Sequence, residues 1–144
     1  MYVRVRAEIR PTEDPVRVRK AVENIFNGRV RVIEREKGVK EVIGESYSIE
    51  SLMRLHELVR IYRILDAARK SLQKGVHGNT IVFKLHKQAA YMGKISFIDS
   101  DRESPLGSIT FYIESSDPKK LIDWLAPKTS MGKPLWEIEA PRDI

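Results

Sequence analysis

Lys84, His86, Lys87, Gln88, Tyr91 and Lys94 fall within one short stretch, Phe-Lys-Leu-His-Lys-Gln-Ala-Ala-Tyr-Met-Gly-Lys at 83–94. Ammonium groups hold phosphates without regard to base sequence, an amide donates and accepts hydrogen bonds, and an exposed ring stacks on an unpaired base. That combination suits RNA. The same residues also have a structural use: Ala89, Ala90 and Met92 match one turn of packed helix, and Tyr91 can bury its ring with the hydroxyl at the edge. Both uses stand at this stage.

The wider charge pattern extends the binding argument. The net charge is +6 and the isoelectric point is near 9.6. Residues 54–94 hold 9 Lys and Arg against 2 Asp and Glu, residues 1–53 hold 11 against 9, and residues 95–144 hold 6 against 9. The basic middle offers a surface for a polyanion. It also offers a partner for the acidic last third, within one chain or across a homodimer.

Catalytic signatures are missing. No Gly-rich phosphate loop, His-Glu-x-x-His or Gly-x-Ser-x-Gly occurs. The three histidines, His56, His77 and His86, are scattered, and the absence of cysteine removes thiol nucleophiles and thiolate metal sites. Asp99, Asp101 and Glu103 lack the glycine and terminal glutamate of a calcium loop and read as a solvated acidic loop. No metal or cofactor is expected. An active site assembled from distant residues leaves no local signature, so catalysis remains a secondary alternative. No apolar run approaches the roughly 18 residues of a membrane span, and the arginine-rich start has no apolar signal core. A cytoplasmic protein is expected.

These side chains need elements to position them. The chain has 144 residues, 42% of them hydrophobic, enough for one domain with its own core. Val3, Val5, Ala7 and Ile9 alternate with Arg4, Arg6, Glu8 and Arg10, which predicts a half-buried strand. Asp14 and Pro15 open a helix that ends at Gly28. Strands follow at 29–36 and about 39–45, forming a hairpin. A single long helix is expected from Ser48 to Lys74, with Leu55, Leu58, Ile61, Tyr62, Leu65, Ala68 and Leu72 on its apolar face. His56, Arg60, Arg63, Lys70 and Lys74 fall on the other face. Arg54 and Arg69 lie inside the apolar arc, where a buried guanidinium needs a partner; Asp66 or a strand carboxylate is expected for Arg69.

Further strands are predicted at 79–85, 94–99 and 108–115, then a short helix capped by Asp117. Residues 126–144 read as a wrapping tail with one short strand at 135–139. Alternating strands favour a mostly antiparallel sheet over a parallel one buried on both faces. The expected class is therefore α+β: a single two-layer domain at 1–144, its helices packed on one face of the sheet. The other face would carry Arg4, Arg6, Arg29 and Arg31 as a second basic patch.

The segments Arg-Ile-Leu-Asp-Ala-Ala-Arg-Lys-Ser-Leu (63–72), 83–97 and Glu-Ser-Pro-Leu-Gly-Ser-Ile-Thr-Phe-Tyr-Ile (103–113) resemble the uncharacterised archaeal family described as predicted RNA-binding proteins or predicted exosome subunits. Lys-Gln-Ala-Ala and Pro-Leu-Gly are its most specific pieces. The family often has asparagine before Lys-Gln, where this chain has His86. The resemblance implies a fold similar to ribosomal protein L-five, which binds ribosomal RNA; the concentration of charge at 54–94 makes a non-catalytic role with RNA as partner the first hypothesis. The resemblance also implies association with an RNA-processing complex, or an accessory part in nucleotide or cofactor metabolism. It brings no catalytic residues.

Overall fold

The structure, a computed structural model, describes residues 1–144. The alternation near the start becomes β1 (Tyr2–Ile9), with Val3, Val5, Ala7 and Ile9 buried and Arg4, Arg6 and Glu8 exposed. Asp14 caps α1 (Pro15–Glu23) by accepting from the Val16 N–H at 2.9 Å, and Pro15 occupies the first turn, where a missing N–H costs nothing. β2 (Val30–Glu34) and β3 (Lys40–Ser46) form the expected hairpin. β4 (Val76–His77), β5 (Thr80–His86), β6 (Phe97–Ile98) and β7 (Ser108–Glu114) complete the main sheet.

The sheet has seven strands in the order β2-β3-β1-β7-β5-β4, with β6 also paired to β5. Every pairing is antiparallel. A core of 32 buried residues joins inward side chains such as Val5, Phe83 and Phe111 to the helices. These are α1, α2 (Met53–Ile61), α3 (Leu65–Lys74), the short α4 (Lys87–Tyr91) and α5 (Pro118–Leu125). The α+β class with an antiparallel sheet and helices on one face is what forms.

Gly44 shows how tightly the core is filled. It stands between Val5 of β1 and Val30 of β2. A Cβ there would lie 2.7 Å from the Phe26 ring and 2.9 Å from Val5, so the aromatic ring occupies the space a side chain would need.

Four expectations change. The first helix, expected to end at Gly28, stops at Glu23 with Asn24 as its C-cap. The single helix over 48–74 is divided into a 3-10 turn at Ile49–Leu52, α2 and α3. Arg63 adopts a left-handed φ of 54°. Its N–H reaches the Arg60 carbonyl at 3.1 Å and the Ile64 N–H reaches Val59 at 3.0 Å. This is a Schellman ending that uses arginine where glycine is usual. The predicted strand at 94–99 shrinks to β6, because Gly93 turns with a φ of 76° and the Lys94 N–H folds back to the Ala89 carbonyl. The strand expected at 135–139 is absent; the tail instead forms a small hairpin of β8 (Thr129–Ser130) and β9 (Lys133–Pro134). Beyond it, Trp136 Nε1 donates to the Asp123 carbonyl at 3.2 Å, Arg142 pairs with Glu50, and the Ile144 carbonyl accepts from Ser116 N–H at 2.9 Å.

Candidate nucleic-acid interface

The strand register fixes what the face away from the helices presents. Arg6 stands opposite Ile43 of β3 and Thr110 of β7; Arg31 of β2 flanks Ile43, and Lys84 of β5 flanks Thr110. One row therefore runs Arg31, Ile43, Arg6, Thr110, Lys84. The next row is Glu45, Arg4, Tyr112, Val82, and the row at the end is Tyr2, Glu114, Thr80. Ile43 is buried yet lies outside the main core, between Arg6 and Arg31 in the strand register.

Charges on this face are arranged in pairs. Arg6 and Arg35 approach Glu41 at 3.8 and 2.6 Å, Arg31 lies 3.9 Å from Glu45, and Lys84 lies 3.2 Å from Asp101. Ser108 and then Lys84, by hydrogen bonding to Asp101, hold its carboxyl below the usual range. Arg4 differs: its guanidinium sits 4.9 Å over the centre of the Tyr112 ring, a cation–π arrangement. Arg29, exposed, immediately precedes β2.

Three tyrosines that sequence reasoning passed over gather beside Arg4. The Tyr2 ring is 5.3 Å from Tyr47 and 6.4 Å from Tyr112. Tyr2 donates to Glu45 at 2.5 Å and Tyr112 donates to Glu114 at 2.8 Å, and each hydrogen bond raises the pKa of the phenol that makes it. The alternation already put Tyr2 and Tyr112 on the arginine side of their strands. What it did not contain was the pairing of β1 with β7, which brings them together.

The other expected contacts are dispersed. Lys87 is buried, with its ammonium 2.7 Å from the Glu8 carbonyl, 2.5 Å from the Leu106 carbonyl and 3.0 Å from Glu13 Oε1. It is a structural cation whose ammonium is taken up by oxygens of the same chain. His86 caps α4, its Nδ1 accepting from the Ala89 N–H at 3.2 Å. Gln88, Tyr91 and Lys94 are exposed near α4, where Arg17 lies 6.0 Å over the Tyr91 ring. The opening stretch is thus a corner of the fold locked from below by Lys87.

Arg60 is likewise committed. It forms two bonds to Glu137, at 2.9 and 2.7 Å, and others to the carbonyls of His56, Trp124 and Leu125. Arg69 pairs with Asp123 of α5 at 2.9 Å and bonds the Ala126 carbonyl, in place of the Asp66 or strand partner expected. Arg54 lies 3.1 Å from Glu57. Arg63 and Lys70 are exposed on the helical layer, and Lys74 reaches toward Asp99 at 4.0 Å. The basic middle does not form one surface. Part of it is neutralised within the chain, and Lys84, on the sheet face, shares a cleft with Lys74 of α3 but not with Arg60 or Arg69.

The histidines do not converge either. His56 stacks on Trp124 at 4.6 Å; burial, then Arg60, lowers its pKa to about 4. His77 is exposed beside the Gly75 carbonyl. No helix is long and apolar enough to cross a membrane.

Comparison with known proteins gives consistent matches. A family pattern described as RNA binding matches residues 2–115. A UPF0201 protein of Saccharolobus solfataricus is 49% identical over 142 residues, covering 99% of this chain and 98% of its own. A UPF0201 protein of Metallosphaera sedula is 48% identical over 139 residues, covering 96% of each. The crystal structure of a UPF0201 protein from Methanococcus jannaschii superposes with a TM-score of 0.82 at 35% identity, covering 94% of this chain and 99% of that one.

Proposed function

This chain belongs to the archaeal UPF0201 family and carries the RNA-binding pattern over most of its length, and from that premise we propose that it is a non-catalytic RNA-binding protein that receives the RNA backbone on the open face of its sheet. The observation that carries this reading is the register that sets Arg31, Arg6 and Lys84 in one row with Arg4 in the next. Arginine forks suit phosphate oxygens, and a sheet face accepts an extended strand.

The carboxylates on the face limit how strongly bulk charge contributes. Glu41, Glu45 and Asp101 already neutralise part of the row, so binding involves about three or four phosphates, and the log–log salt slope is about −2 to −3. Residues 95–144 supply carboxylates to the basic middle within the same chain: Glu137 to Arg60, Asp123 to Arg69, Asp101 to Lys84. That pairing takes away the electrostatic motive for a homodimer or a docking module on an RNA-processing complex. A part in nucleotide or cofactor metabolism has no observation in its favour here.

The test is a salt titration with labelled RNA. Arg4→Ala, Arg6→Ala and Arg31→Ala should each weaken binding and flatten the slope. Lys70→Ala and Lys119→Ala, on the helical layer, should leave both unchanged. The reverse pattern, or no binding of any RNA at low salt, overturns the proposal.

A further inference from the structure

We infer that the cluster of Tyr2, Tyr47 and Tyr112 is a stacking platform for unpaired bases, so that the RNA taken by the sheet face is single-stranded. This deepens the sheet-face reading and rests on it.

The observations are geometric. Two of the rings belong to neighbouring strands, and the third stands just beyond the end of β3. Tyr2 and Tyr112 are held at their hydroxyls by Glu45 and Glu114, so both ends of each side chain are anchored before any ligand arrives. Tyr47 is 80% exposed. A ring of that size left in water gains nothing from folding; it gains when a second planar group covers it. Arg4, on the Tyr112 ring, is placed to meet the phosphate that follows a stacked base.

An open cleft of about 580 Å³ adjoins the platform, lined by Tyr2, Tyr47, Asn79, Thr80, Glu114 and their neighbours. It is wide enough for a nucleobase, and its wall offers the amide of Asn79 and the carboxylate of Glu114 to a base edge. Duplex RNA keeps its base faces stacked internally, so only its backbone and groove edges could reach these rings. A single strand can splay a base onto them.

Anisotropy titrations of a labelled single-stranded RNA, the same sequence as a duplex, and a competing mononucleotide test this. The single strand should bind at least about tenfold more tightly than the duplex. Tyr47→Ala, at an exposed site outside the core, should cost about tenfold in single-strand affinity, and Tyr47→Phe, which keeps the ring, should restore most of it. Binding that depends on Arg4 and Arg6 but favours duplex, or ignores Tyr47→Ala, overturns the platform and leaves the sheet-face reading intact. A mononucleotide that competes as well as the strand also overturns it, because the ligand is then a free nucleotide. Failure of every RNA to bind removes the sheet-face reading and this inference together.

Discussion

Lys87 and Glu13 form a buried ion pair, 3.0 Å apart, with side chains 4% and 7% exposed. The ammonium also holds the carbonyls of Glu8 at the end of β1 and of Leu106 before β7. One side chain thus ties together β1, the loop to α1, α4 and the loop to β7. Removing the cation leaves a buried carboxylate and two carbonyls without their donor, and breaking a buried pair from one side costs about 3–5 kcal/mol. Lys87→Met should therefore lose stability on that scale in urea unfolding, and adding Glu13→Gln should recover part of it. A loss under about 1 kcal/mol would contradict this account.

Arg63 ends α2 in the left-handed region. Glycine adopts that conformation without the Cβ clash that an arginine incurs. Arg63→Gly should raise stability by about 0.5–1 kcal/mol, read as a higher urea midpoint at constant slope. A fall in midpoint would mean that the arginine side chain makes a contact that outweighs its backbone strain.

How much of this was legible beforehand follows from the range of the forces involved. Period-two alternation is local, so β1, β5 and β7 and the inward sides of their residues could be read directly. Asp14 and Asp117 are caps that act over two or three residues, and both are found where expected. The break at Arg63 carried no glycine or proline to mark it, and it leaves Ile61 and Tyr62, expected on the apolar face, exposed at the end of α2. Lys87 looked like its neighbours Lys84 and Lys94, since the difference lies in Glu13, 74 residues away. The tyrosine cluster depends on which strands are neighbours, a property that no single strand's sequence contains.

Arg60 clamps the tail. Its guanidinium joins Glu137 to the last turn of α5 through the Trp124 and Leu125 carbonyls. Arg60→Ala should release residues beyond the small hairpin, cost about 2–4 kcal/mol, and expose the segment around Glu137 to limited proteolysis. Cleavage no faster than in the parent protein would show that Trp136 and Arg142 hold the tail without the clamp.

His56 makes folding sensitive to mild acid. It stacks on Trp124, and burial together with Arg60 lowers its pKa from the ordinary 6.5 to about 4. The unfolded chain therefore binds a proton on this ring between about pH 6.5 and 4 that the folded chain refuses. Stability from this group is full above pH 6.5 and declines as pH falls toward 4, below which it changes no further. The ring is only half-buried, so solvent screening reduces the effect to about 1–2 kcal/mol. Glu137, whose pKa Arg60 lowers by hydrogen bonding, adds a loss of the same sign below the ordinary glutamate range. Replacing the imidazole by a ring that stacks but does not titrate separates the two: in His56→Phe, urea midpoints from pH 7 down to pH 5 should be flatter than in the parent, while the steep loss below pH 4 persists. Parallel profiles across pH 5–7 would show that His56 titrates alike in the folded and unfolded chains.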